Sequence, residues 1–181
     1  MSAGLPSAAA VVRFWREAGY AKWFNGGAAF DAEVREALWD AHFAAARREL
    51  EGWMDTAEGA LALLVLLDQA PRNLFRGSAH AYATDPLALH YAGRMLEAGL
   101  DREVEPGLRM FCYLPFEHSE DLLDQERSVA LMRELGETAL DYAVQHHEVI
   151  ERFGRFPHRN HALGRASTAD EQAWLDAGGG F

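Results

Sequence analysis

The stretch from Arg152 to Arg165 carries the densest chemistry in the chain. It reads Arg152-Phe-Gly-Arg-Phe-Pro-His-Arg-Asn-His-Ala-Leu-Gly-Arg165, with four arginines, two histidines and no acidic residue. The rest of the sequence is acidic: 28 Asp and Glu stand against 17 Lys and Arg, for a formal net charge of -11. A basic loop in such a chain must face either the protein's own carboxylates or an anionic ligand. Guanidinium groups grip carboxylate or phosphate through paired N–H donors. Imidazoles beside them can move protons near neutral pH.

Residues from two further segments extend the candidate site. Asp68, Arg72 and Asn73 follow the apolar run Leu61–Leu67. Glu117, His118 and Asp121 lie in the segment Leu114–Asp121. The basic loop and the helix before it add His147, Arg155, His158, Arg159 and Asn160. In this reading the arginines hold a small anion, His118 or His158 moves a proton, and Glu117 or Asp121 orients the ring. Binding, and hydrolysis of the bound molecule, are the functions it points to.

A competing reading makes the same motifs internal staples of a non-enzymatic interaction module. Asp68 then pairs with Arg72, four residues on. The basic loop pairs with the segment 117–126, where five of ten residues are acidic. His146 and His147 both fall within the apolar arc of the helix Glu137–Phe153, where backbone carbonyls would have to satisfy them. The sequence leaves both readings open.

Other chemistries lack their patterns. No H-E-x-x-H or paired E-x-x-H motif suggests a metal, although His147 and Glu151 share a helical face. Phosphate-cradling glycine loops, a dinucleotide fingerprint and a G-x-S-x-G elbow are all missing. No cofactor is expected. Cys112 sits in the apolar run Met110–Leu114 and reads as a core thiol.

The elements that must position these residues are helical, since no segment sustains strand alternation. Ser7 caps a first helix ending at Gly19, and Asp31 opens a second to about Leu50. Asp55 with Glu58 caps a third, buried on all sides, to about Ala70. Asp85-Pro86 starts another that Gly99 stops. Glu105-Pro106 starts a short one ending before Pro115. Ser119 caps a helix to Leu135, Gly136 breaks it, and Glu137–Phe153 follows. Ser167-Thr168 caps a last short helix. Short connections imply antiparallel hairpins of about eight or nine helices in one all-α domain. Residues 1–6 and 178–181 read as loose tails.

The motifs Asp68-Gln-Ala-Pro-Arg-Asn73, Leu114-Pro-Phe-Glu-His-Ser-Glu-Asp121 and Arg152–Asn160, with Leu163-Gly-Arg165 and Ser167-Thr168, resemble a bacterial family known as domain of unknown function 924. The resemblance covers nearly the whole chain. It implies an all-helical fold similar to tetratricopeptide-repeat proteins, either a right-handed array or a compact bundle. It implies no activity.

Composition narrows the partners. A pI near 5.1 argues against nucleic acid and anionic membranes, both of which need a basic face. No apolar run approaches the roughly twenty residues of a membrane span, and Met1–Ala10 lacks the features of a signal peptide. A soluble, cytoplasmic protein is expected, with a small anionic ligand or no partner. Trp15, Trp23, Trp39 and Trp53 crowd the first third; core packing accounts for most of them, and a homo-oligomer contact is the alternative.

Overall fold

Breaks in the helices, more than helix propensity, organise this chain. The computed structural model describes residues 4–181, and among these no strand occurs. The fold is all-α. Its helices are α1 (Ala8–Asn25), α2 (Gly27–Ala46), α3 (Ala57–Leu64), α4 (Ala70–Leu74), α5 (Asp85–Glu97), α6 (Leu114–Glu117), α7 (Leu122–Met132), α8 (Glu137–Phe153) and α9 (Ala169–Asp176). Where the sequence shows no linker, packing divides the chain into two units. One runs up to Arg76 and resumes over His80–Pro115; the other comprises Gly77–Ala79 and Phe116–Phe181. Of the expected loose segment 1–6, residues 1–3 lie outside the described residues.

In the first unit α3 is the central element. Ala60 to Leu67 are all at most 3% exposed, so this helix is apolar all round because it is covered all round. Helices α1 and α5 pack against α3, and α2 packs against α4. Trp15 is fully buried, in contact with Trp23, Phe30 and Phe111; Trp23, Trp39 and Trp53 are half-buried.

The passage from α3 to α4 is not continuous α-helix. Val65–Gln69 forms one π turn, in which the Ala70 N–H reaches back to the Val65 carbonyl. The next residue, Pro71, has no N–H to offer to the carbonyls of Leu66 or Leu67. In a dry interior those oxygens need other donors. His42 donates Nδ1–H to the Leu66 carbonyl at 2.8 Å. Thr84 donates its hydroxyl to the Leu67 carbonyl at 2.5 Å. Arg72 donates to the Asp68 carbonyl. Three side chains thus donate to successive carbonyls at this break in the helix, and burial holds the His42 pKa below the usual imidazole value.

In the second unit α7 and α8 form the main helical pair, and α9 packs on the turn Pro157–Arg159. Helix α8 keeps its expected bounds because Gly136 (φ 118°) and Gly154 (φ 67°) adopt left-handed backbone that other residues resist. Three expected helix starts shift: α2 begins at Gly27 and not at Asp31, and ends at Ala46. Thr56, not Asp55, caps α3 by accepting from the Gly59 amide, and Asp121, not Ser119, caps α7 by accepting from the Leu123 amide. Thr168 and Glu171 form a reciprocal capping box on α9.

Thr84→Val keeps the shape of its side chain but orphans the buried Leu67 carbonyl. The expected loss is roughly 1–3 kcal/mol of unfolding free energy, read from the denaturant midpoint. A change within about 0.5 kcal/mol, the range of ordinary surface substitutions, would show that the hydroxyl is not needed there.

Candidate functional site

The turn after α6 is built by one buried side chain. Gln125 is 0% exposed, and its amide nitrogen donates to the carbonyls of Glu117 at 2.6 Å and Ser119 at 2.7 Å, with Phe116 at 3.4 Å. These bonds fix the backbone that carries Glu117 and His118. Glu117 is itself 3% exposed. Its carboxylate lies 3.4 Å from His146 Nδ1 and 3.5 Å from the Ser128 hydroxyl.

His146 comes from the inner face of α8. Its Nδ1 lies 2.8 Å from the Tyr142 carbonyl, an acceptor only, so Nδ1 carries the hydrogen and Nε2 keeps a lone pair. Burial is the main reason its pKa falls to about 3; the nearby His118, Arg159 and His158 lower it further, against the Tyr142 bond. The His118 ring centroid is 6.3 Å away. Phe156 meets the His146 ring edge-on at 5.6 Å, and the Arg159 guanidinium lies 4.4 Å from the Phe156 ring centre. His158 is 5.6 Å from Phe156. The second unit therefore gathers a buried carboxylate, three imidazoles and a buried guanidinium around Phe156. At neutral pH His146 is uncharged, and its Nε2 can accept a hydrogen bond from a water or hydroxyl brought to it.

Other parts of the basic loop are bound within the protein. Arg155 is bidentate on Glu171, at 2.6 and 2.8 Å, and also donates to the Ala166 carbonyl. Arg165 is bidentate on Glu120, at 2.7 and 3.0 Å, and donates to the Phe156 carbonyl and to Asn160 Oδ1. Asn160 donates to Ser167 and Glu171. Hydrogen bonds from Arg155 chiefly hold the Glu171 carboxyl down at about 2. Burial opposes ionisation of Glu120, yet Arg165 and the Phe156 amide keep its pKa below the usual range. From the acidic segment 117–126, Glu120 pairs with Arg165; Arg155 takes its carboxylate from α9 instead.

Asp68, Arg72 and Asn73 lie in the first unit. Arg72 spans Asp68 and both oxygens of Asp85, the latter at 3.0 Å each. Gln69 donates to Asp68, and Asn73 with Arg76 donates to Asp31. This is a closed ion-pair network around the π turn. Within the second unit, Asp121 is exposed and occupied as the α7 cap. His147 is half-buried, and it is His146, one residue earlier, that touches the cluster. Gln125 and Phe181 also belong to this region; Gln125 shares a buried face of α7 with Ser128, a polar pair in a helix that has no clean polar face.

The model of the family described as bacterial protein of unknown function (DUF924) matches residues 11–179. The chain belongs to that family. It is also similar to a solved protein of unknown function from Agrobacterium tumefaciens, with 52% identity and a TM-score of 0.92 over 94% of this chain and 97% of that one. No curated protein matches it. Among the described residues no group of three or more His, Cys, Asp or Glu is placed to hold a metal ion, and no helix is long and apolar enough to cross a membrane. Cys112 is buried and its thiol is pushed up to about 12, which keeps it protonated.

The buried histidines set a pH dependence. A folded pKa below the unfolded value of 6.5 means that the unfolded chain takes up the proton first, so the stabilisation is complete above that value and is lost as pH falls toward about 3. For His146 the expected loss between pH 8 and pH 5 is about 2 kcal/mol. His42 acts in the same direction. Unfolding free energies of the wild type and His146→Gln across this range check it: the variant should show the shallower slope, and equal slopes would contradict the assignment. Below pH 4.5 the Glu171–Arg155 pair adds a second loss of the same sign.

Proposed function

We propose that this protein binds a small anionic molecule, a phosphate or carboxylate, at the cluster formed by Glu117, His118, His146, His158 and Arg159. The observation that supports this most is the gathering of cationic and imidazole groups at His146 in a chain of net charge -11. Two of the loop's arginines are bidentate on carboxylates and so serve structure. Arg159 is 7% exposed, lies over an aromatic ring, and acts on both His146 and Glu120. An anion beside it gains from a guanidinium and from neighbouring imidazoles that can donate hydrogen bonds. Proton transfer in hydrolysis of the bound molecule would fall to His118 or His158, the imidazoles beside it.

For the motif Asp68–Asn73 the observations favour the other reading. Its polar groups are used on Asp85, Asp31 and the carbonyls of a broken helix, so we read it as a structural staple.

Thermal unfolding in inorganic phosphate tests the site. Saturation at about a hundred times Kd should stabilise the protein by about 2.7 kcal/mol, a rise of several degrees in Tm. Arg159→Gln should abolish that rise, whereas Arg152→Gln, on the exposed end of α8, should keep it. No rise with phosphate or acetate in the wild type would contradict the proposal.

A further inference from the structure

The segment Gly178–Phe181, expected as a loose tail, is laid back onto the cluster. Its base is fixed to α9. The Gly178 amide donates to the Leu175 carbonyl and the Gly179 amide to the Trp174 carbonyl, both at 2.9 Å, with Gly178 left-handed at φ 88°. This is the pattern that turns a chain sharply off a helix end. Gly179 lies flat on the Trp174 ring, where a Cβ would fall 2.3 Å from it. Gly180, at φ 138°, passes so close to His158 that an added Cβ would lie 3.4 Å from the His158 Cβ. The turn directs the next side chain onto His146.

That side chain is Phe181. Its ring stacks on His146 with centroids 3.6 Å apart and planes 13° from parallel. Phe156 and His158 meet the same ring edge-on, at 6.2 and 5.8 Å. One face of the slot is thus an imidazole and two walls are ring edges, the arrangement that a planar aromatic group prefers. Phe181 nevertheless remains 52% exposed, so it covers the slot without being locked in it.

We propose that Phe181 occupies an aryl subsite of the anion site, and that the molecule bound there carries an aromatic ring next to its phosphate or carboxylate. This rests on the anion-binding reading above. The ligand's ring takes the place of Phe181 on His146, while its anionic group meets Arg159 and His158. The strap therefore competes with the ligand and lowers its apparent affinity by the fraction of time it is closed. A compound with only an anion does not need to move it.

Calorimetric titrations with phenyl phosphate and inorganic phosphate, on the wild type and Phe181→Ala, separate the outcomes. Phe181→Ala should bind phenyl phosphate about tenfold more tightly than the wild type does, as expected when a closed form is removed. Its affinity for inorganic phosphate should stay unchanged. Equal affinity of Phe181→Ala for the two compounds would overturn the aryl subsite and leave the anion site standing. Binding of neither by either protein would overturn the anion site, and the subsite with it. A wild-type measurement needs no variant: phenyl phosphate, and not inorganic phosphate, should erase the NMR cross-peaks between the Phe181 ring and the His146 ring. Their persistence with phenyl phosphate bound would also overturn the proposal.

Discussion

A backbone carbonyl buried without a hydrogen bond costs roughly 1–3 kcal/mol, and this chain creates many of them by breaking its helices. That constraint accounts for most of its polar motifs. Pro71 interrupts the helix at the centre of the first unit, and His42, Thr84 and Arg72 supply the missing donors. The turn after α6 leaves carbonyls that Gln125 takes up. The loop after α8 leaves the carbonyl of buried Phe156, which Arg165 satisfies. Gln125, Arg72, Arg155 and Arg165 each bond a carbonyl while also serving a carboxylate or a second carbonyl. Arginine does both with one planar group, which fits a chain whose single lysine is Lys22.

Placing the staples first changes what stands out. Arg155 and Arg165 look like ligand-gripping residues by type and spacing, but each is bidentate on an acid within its unit. The chemistry then concentrates on a smaller set around His146. Burial keeps that imidazole uncharged, and Arg159 and the two neighbouring histidines reinforce the effect. In the proposed site the Arg159 guanidinium would also favour an anion next to it.

The sequence makes the helical scaffold legible and the side-chain partners only partly so. Helix α8 is readable to the residue because glycines bracket it and its apolar arc is continuous. Its two adjacent histidines are not resolved by that arc, since one residue turns the helix by about 100° and both fall inside it. Ser119 and Asp121 are both good caps, two positions apart, and choosing between them needs the backbone angle of Asp121, which is extended. The π turn at Val65–Gln69 is invisible to a pattern of fixed period because it inserts one residue into the helix. The glycine run 178–180 reads as flexibility by composition. Only the ring of Trp174 and the side chain of His158 show that the run permits close approach.

The account stands on the claim that an anion binds beside His146 and not elsewhere on the protein. Histidine side-chain NMR during a phosphate titration addresses this directly, since His42, His80 and His90 lie in the other unit and serve as internal references. The predicted result is saturable shifts in His118, His146 and His158, with those three references still. Shifts spread evenly over all histidines, or none at millimolar phosphate, would contradict the claim.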